Sequence, residues 1–167
     1  RLILLPEVVL DEPEVVPLTA SVAVSLENGV AAIGAPALWT QGYTGKGRIV
    51  CGIDTGVRGS HFALADRWRG LDVPWPQAWF DPRGLTTFPG DIGTSPVNHG
   101  SHTMGIMCGA DTVRGDTVGV APGAQWIAAY GIGGSNLTTV NLIECLEWAV
   151  DPDGNPNTSG DVPDVIN

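Results

Sequence analysis

One segment constrains the fold of this chain more than any other. Residues 48–53 form an apolar run of strand length, and Asp54, Thr55 and Gly56 follow it directly. An apolar run that does not alternate with polar residues is typical of a strand buried on both faces, as in a parallel sheet. Parallel strands need crossover connections, which are usually helices. The segment therefore predicts an α/β fold with an acidic residue at the end of its first strand.

Further segments alternate in the order that such a fold requires. The patterns predict helices over residues 31–41, 99–109 and 138–150, and two more strands over residues 125–130 and 164–167. In the last helix, four apolar residues share one face: Val140, Ile143, Leu146 and Val150. This alternation predicts a three-layer α/β fold with a mainly parallel sheet and right-handed crossovers.

Two other parts of the chain lack clear periodicity. Residues 57–98 contain three tryptophans and five prolines, which is typical of functional surface in a compact domain. Residues 1–30 carry three prolines and a group of acidic residues, and we interpret them as an acidic lead-in or linker. The sequence stops within the last predicted strand, so we expect a piece of a longer chain whose sheet is incomplete.

The charge balance argues against two classes of partner. Eight lysines and arginines against eighteen acidic residues give a formal net charge of −10. Binding to nucleic acid or to anionic lipid needs clustered basic side chains, so neither a nucleic acid nor a membrane surface is an expected partner. A membrane-spanning helix is not expected, because no run of about 18 apolar residues occurs.

The cysteines indicate neither redox nor metal chemistry. Cys51, Cys108 and Cys145 are odd in number, show no C-x-x-C spacing and stand among apolar neighbours. Such cysteines are typically buried and behave as small hydrophobic residues. We therefore predict three free, buried thiols and no disulfide framework.

The chemistry is expected at the carboxyl edge of the sheet, where ligands bind in open parallel sheets. Asp54 follows the first strand, and His99 begins the next predicted helix. A carboxylate that accepts a hydrogen bond from one imidazole nitrogen fixes the tautomer, so that the other nitrogen can act as a general base. Such a pair also has structural uses, and a strand-end cap is the default interpretation of a lone aspartate.

Three segments in a fixed order make the interpretation of Asp54 and His99 as a functional pair more specific. They are Gly52-Ile53-Asp54-Thr55-Gly56-Val57, His99-Gly100-Ser101-His102-Thr103-Met104-Gly105 and Gly119-Val120-Ala121-Pro122-Gly123-Ala124. Together they resemble the subtilisin-like serine proteases, or subtilases. Two preceding segments are most similar to the bacillopeptidase F type of that family. They are Ile33-Gly34-Ala35-Pro36 with Trp39, and the turn Gly42-Tyr43-Thr44-Gly45-Lys46-Gly47.

The resemblance implies roles for individual residues. Asp54 corresponds to the aspartate of an Asp-His-Ser triad, His99 to its histidine, and His102 to a structural helix residue. The edge that binds substrate by strand addition corresponds to Gly133, Gly134, Ser135 and Asn136. The nucleophilic serine, which the family carries in a Gly-Thr-Ser-Met-Ala context, and the oxyanion-hole asparagine are expected later than residue 167.

The resemblance also implies a function. Residues 31–167 are expected to be the amino-terminal part of the catalytic domain of a secreted or cell-surface serine endopeptidase, and residues 1–30 a lead-in or propeptide remnant. The expected partners are a polypeptide substrate and the missing carboxyl-terminal part of the same protease. No cofactor or catalytic metal is expected, although structural calcium is compatible. The chain alone is expected to be inactive, and the alternative is an inactive subtilase-like module that binds peptides or a partner chain.

Three other interpretations stay open on the sequence. The Asp-Thr-Gly segment after an apolar strand also suits a retroviral-type aspartic protease, which would be an all-β chain. His99 and His102 could bind a metal if Asp54 or Asp66 completed the ligand set. Alternating oxygen side chains over residues 151–157 suit calcium, but the Gly-then-Glu pattern of an EF-hand is missing, so an ordinary turn is favoured.

Overall fold

The computed structural model describes residues 26–93 and 98–167, so most of the predicted lead-in lies outside the described residues. The described ranges form a parallel sheet flanked by helices, which confirms the predicted α/β class. This arrangement contradicts the all-β chain expected for an aspartic protease. No helix within the two ranges has the length and apolar character needed to cross a membrane.

The central sheet has four strands, and all its pairings are parallel. The strands are β1 (Ile49–Asp54), β2 (Trp79–Phe80), β5 (Gln125–Tyr130) and β6 (Val165–Ile166). Their spatial order is β2-β5-β1-β6. Strands β1 and β5 pair along their whole length, which places Asp54 opposite Tyr130 at the carboxyl edge. A separate antiparallel pair consists of β3 (Ala110–Asp111) and β4 (Asp116–Thr117).

The described residues form four α-helices, two of which pack on opposite faces of the sheet. They are α1 (Asn28–Ala32), α2 (Ala35–Trp39), α3 (His99–Cys108) and α4 (Thr139–Val150). Gly52 of β1 faces Met104 of α3, whereas Ile53 lies on the side of Cys145 of α4. Consecutive strand residues point to opposite faces, so α3 and α4 pack on opposite sides of β1. The three-layer arrangement is therefore confirmed.

The prediction of one helix over residues 31–41 is wrong. Two short helices, α1 and α2, occupy this region and are separated at Gly34. Gly34 has a φ of 77°, in the left-handed region that ends a right-handed helix. Pro36 then lies in the first turn of α2, where its missing N–H leaves no hydrogen bond unmade.

The core is centred on β1 and β5 with α3 packed against them. Every residue of β5 after Gln125 is buried. The largest fully buried side chains include Trp79, Trp126, Met104 and Ile127. Trp79 belongs to β2, a strand that the sequence pattern missed because it lies within the segment expected to be irregular. The rest of that segment includes three 3-10 turns: Ala65–Arg67, Arg69–Leu71 and Trp75–Gln77.

Helix α4 turns its apolar stripe away from the sheet. It begins after Thr138, which forms a reciprocal capping box with Asn141. Cys145 and Ala149 face inward and are fully buried. The predicted apolar stripe is exposed instead. The exposed fractions of its residues are 61% for Val140, 49% for Ile143, 47% for Leu146 and 61% for Val150. A contiguous exposed apolar surface of this kind is typical of a contact surface.

Candidate active site

Strand β1 and helix α3 bring the predicted pair together. Asp54 is the last residue of β1 and is 3% exposed, and His99 is the first residue of α3. His99 Nδ1 lies 2.8 Å from Asp54 Oδ1 and 3.0 Å from Oδ2. An ionised carboxylate only accepts hydrogen bonds, so Nδ1 of His99 carries the proton. Nε2 of the neutral ring then carries no proton. In this orientation, Nε2 could accept a proton from a bound group.

The Asp54 carboxylate is held from three sides. Besides His99, the backbone N–H of Thr55 donates to Oδ1 at 2.7 Å, and Thr103 Oγ1 donates to Oδ2 at 3.1 Å. These hydrogen bonds fix the orientation of the carboxylate. The pair therefore combines a buried, fixed acceptor with a histidine whose side chain is 24% exposed.

A second network fixes the start of α3. Gly100 N–H donates to Thr55 Oγ1 at 2.9 Å, and Ser101 N–H donates to Asp91 Oδ2 at 2.8 Å. Thr55 Oγ1 in turn donates to Asp91 Oδ1 at 2.7 Å. Asn98, the residue before the helix, provides no side-chain cap, so these two side chains satisfy N–H groups of the first turn in its place. The Asp91 carboxylate also interacts favourably with the positive end of the helix dipole.

Sequence reasoning missed the positioning contacts of Thr103, Asp91 and Thr55. Thr103 lies four residues after His99 and therefore on the same helix face, which is a signal that could have identified it. Asp91 is 36 residues from Thr55 in an irregular segment, and no local pattern marks it.

The predicted substrate-binding residues follow β5 at the same edge of the sheet. The N–H groups of Gly131 and Ile132 donate to the backbone oxygen of Asp54, at 2.9 and 3.2 Å. The chain then passes through Gly133 and Gly134 into a turn at Ser135 and Asn136, which are exposed. The four predicted residues thus lie in a loop that starts beside Asp54.

The other candidate chemistries find less support in the geometry. His102 is exposed and donates its backbone N–H to Asn98. Within the described ranges, the group of three potential metal ligands that lie close together is Asp151, Asp153 and Asp161, which includes neither His99 nor His102. The proposed histidine metal site therefore lacks a third ligand among these residues.

The cysteine prediction is confirmed. All three thiols are free and buried. Burial is the main factor that raises the pKa of Cys51, Cys108 and Cys145 to about 12 in each case. Thiols that remain protonated at neutral pH are poor nucleophiles, so these side chains serve packing.

Comparisons with known proteins agree with the motifs. Residues 45–167 match the subtilase family. In Bacillus subtilis (strain 168), the chain is 35% identical over 151 residues to Bacillopeptidase F, 36% identical over 135 residues to Minor extracellular protease Vpr and 33% identical over 129 residues to Subtilisin E. These alignments cover 85%, 78% and 77% of this chain but only 10%, 16% and 30% of the respective relatives.

Proposed function

The chain belongs to the subtilase family of serine proteases, and from this premise we propose that Asp54 and His99 are two members of the Asp-His-Ser triad of an endopeptidase. The observation that carries the proposal is the 2.8 Å hydrogen bond between His99 Nδ1 and Asp54 Oδ1. The position of this pair, at the carboxyl edge of a parallel sheet, supports it.

In the proposed mechanism, Asp54 keeps the Nδ1 proton of His99 in place and stabilises the imidazolium that forms. His99 Nε2 removes the proton from a serine hydroxyl, whose oxygen attacks the peptide carbonyl. The imidazolium then donates that proton to the departing amine, which leaves an acyl-enzyme for water to hydrolyse. The chemistry needs no cofactor, as in other subtilases.

We propose that the nucleophilic serine lies in the carboxyl-terminal part of the same protease. The seven serines of this chain are Ser21, Ser25, Ser60, Ser95, Ser101, Ser135 and Ser159, and none stands in the family's nucleophile context. The chain spans less than a third of the three relatives named above, which leaves room for that part. The exposed apolar stripe of α4 is a surface for it to cover. This chain alone is therefore proposed to be inactive.

The remaining assignments follow from the same proposal. Residues 31–167 are the amino-terminal part of the catalytic domain, and residues 1–30 precede it as a lead-in or propeptide remnant. The substrate is a polypeptide, held beside the triad by residues 133–136. One relative is named an extracellular protease, and we propose secretion or cell-surface display for this protein.

A second function is supported by the missing nucleophile. A chain with Asp54 and His99 but no serine in the family context could bind peptides or a partner chain without cleaving them. The two functions differ in the size of the native protein. We expect an antibody against this sequence to recover a protein far larger than 17.4 kDa, and intact mass spectrometry measures this.

Activity-based labelling then tests the triad. We expect a fluorophosphonate probe, which reacts with activated serines, to label the native protease and not the 167-residue chain. In that protease, His99→Ala should lower turnover about a millionfold and Asp54→Ala about 30,000-fold, as the corresponding changes do in subtilisin. His102→Ala, the neighbouring histidine, is the matched control and should retain activity.

Two results would contradict the proposal. Peptide hydrolysis by the 167-residue chain that a serine-directed inhibitor abolishes would place the nucleophile within it. A native mass near 17.4 kDa without labelling would favour the binding module.

A further inference from the structure

Three aspartates converge in the connection between α4 and β6, apart from the proposed catalytic pair. Asp151 and Asp153 follow α4, and Asp161 lies shortly before β6. One oxygen of each carboxyl group lies within 4.8 Å of one oxygen of each of the others. The alternating pattern in the sequence suggested Asn155 and Asn157 as further ligands, whereas the structure brings Asp161 into the group instead.

Two of these carboxyl groups have buried oxygen atoms without a partner. Among the described residues, Oδ1 of Asp151 and Oδ1 of Asp161 belong to the few buried side-chain polar atoms that make no hydrogen bond. Asp161 is only 3% exposed, and its Oδ2 accepts a long hydrogen bond of 3.4 Å from Asp153 N–H. Buried polar atoms are normally paired, so the two unpaired oxygens are available to bind a ligand.

The cluster also concentrates negative charge. None of the salt bridges within the described ranges involves the three aspartates. Arg69 approaches this loop, but its Nη2 donates to the backbone oxygen of Gly160 at 2.9 Å. An ionised carboxylate beside two others is repelled unless a cation lies between them.

We propose that this aspartate cluster binds a calcium ion. Calcium prefers six to eight oxygen ligands at about 2.3–2.6 Å, so two ligands on opposite sides of the ion are about 4.8 Å apart. The separations of the three carboxylate oxygens fall within that limit. Each of the three aspartates contributes one carboxylate oxygen, and water completes the coordination.

Magnesium fits this cluster less well. It demands near-octahedral geometry at about 2.0–2.1 Å and is usually held by one or two carboxylates with several waters. Three carboxylates contributed by a loop are instead typical of the more flexible coordination of calcium.

The bound ion would link the end of α4 to the approach to β6. Asp164, which follows Asp161 closely, accepts a hydrogen bond from Ile49 N–H at 2.9 Å and pairs with Arg48 at 3.0 Å. Strand β6 then pairs with β1, the strand that carries Asp54. Calcium would therefore hold the edge strand in register beside the candidate catalytic aspartate without taking part in the chemistry.

Calcium titration of the metal-free chain tests this site without any measurement of proteolysis. We expect isothermal titration calorimetry to give one saturable site with a Kd of about 0.1–1 mM, as in extracellular calcium modules. Asp161→Asn preserves the shape, removes one charge and should weaken calcium binding about tenfold or more. Asp66→Asn, the same change at an exposed 3-10 turn, is the matched control and should leave the affinity unchanged.

A second variant keeps the test independent of folding. Asp161 is buried, so its substitution could also unfold the chain, whereas Asp153 is half-buried and Asp153→Asn should weaken binding to the same extent. Far-UV circular dichroism reports whether each variant is folded. The proposal is overturned by the absence of saturable calcium binding up to about 10 mM, roughly ten times the expected Kd. It is also overturned by equal affinity for magnesium, or by folded loop variants that bind as tightly as the wild-type chain.

Discussion

Gly100, the second residue of α3, is where one added methyl group should disturb the candidate site most. A Cβ atom there would lie 2.0 Å from the backbone oxygen of Gly56 and 3.0 Å from Asp54 Cβ. Real Cβ atoms essentially never approach other atoms within 3.0 Å, and a backbone oxygen cannot rotate away as a flexible side chain can. Gly100→Ala must therefore displace the first turn of α3 from the end of β1 and the Gly56 backbone that follows it by about 1 Å.

The displacement has two measurable consequences. Overpacking costs about 1–3 kcal/mol of unfolding free energy, and a clash with backbone belongs at the upper end of that range. The higher helix propensity of alanine returns up to about 1 kcal/mol, so the net loss is about 2 kcal/mol. The same shift lengthens the hydrogen bond from the adjacent His99 to Asp54. In the proposed complete protease, a misplacement of about 1 Å should lower turnover about a hundredfold.

Gly105→Ala in the same helix is the matched control. A Cβ at Gly105 meets no atom within 4 Å, so alanine should stabilise the chain by up to about 1 kcal/mol. Urea unfolding, followed by the fluorescence of the buried Trp79 and Trp126, should separate the two variants by about 3 kcal/mol. Equal stability of the two variants would refute the argument that close packing of α3 on the Gly56 backbone requires a glycine at position 100.

Three further predictions concern individual contacts. Thr103→Val removes the hydroxyl that donates to the Asp54 carboxylate and should cost about 1.5–3 kcal/mol in urea unfolding, whereas Thr103→Ser should cost less. Desolvation opposes ionisation of Asp81, but hydrogen bonds from Arg83 and Thr86 outweigh it and lower the Asp81 pKa below 3.8. As the pH falls, the Asp81 carboxylate is therefore protonated in the unfolded chain before it is protonated in the folded chain. The stability of the wild-type chain should then fall more steeply than that of Asp81→Asn as the pH drops below about 4. The three thiols should react with Ellman's reagent only after unfolding, because burial raises their pKa to about 12.

Much of the framework could be predicted because its signals are local. The apolar runs place β1 and β5 within one residue of their observed bounds, and Thr138 marks the start of α4 as a capping residue. Strand β2 was not predicted because two residues are too few to show the alternation of apolar and polar residues typical of a strand. Only their pairing with β5 identifies them as a strand. The side of α4 that packs on the sheet was also unpredictable, since the small residues Cys145 and Ala149 allow closer approach than the larger apolar stripe.

The candidate site was also predictable only where its signals are local. Motif order was sufficient to predict Asp54 and His99 as a pair, and the structure places them within hydrogen-bond distance. The side chains that hold the pair in place come from separate segments, and Asp91 in particular acts through Thr55 and the start of α3. Contacts of this kind depend on the path of a long irregular segment, which sequence periodicity does not describe.

These supporting contacts explain how two members of the proposed triad can be positioned without the nucleophile. Three donors, from His99, Thr55 and Thr103, converge on the Asp54 carboxylate, and all of them belong to this chain. Positioning of the proposed general base therefore depends on groups of this chain, and a serine supplied by another segment would meet a histidine that is already oriented. Preorganisation of this kind means that no hydrogen bond of the pair has to be rebuilt when the nucleophile arrives.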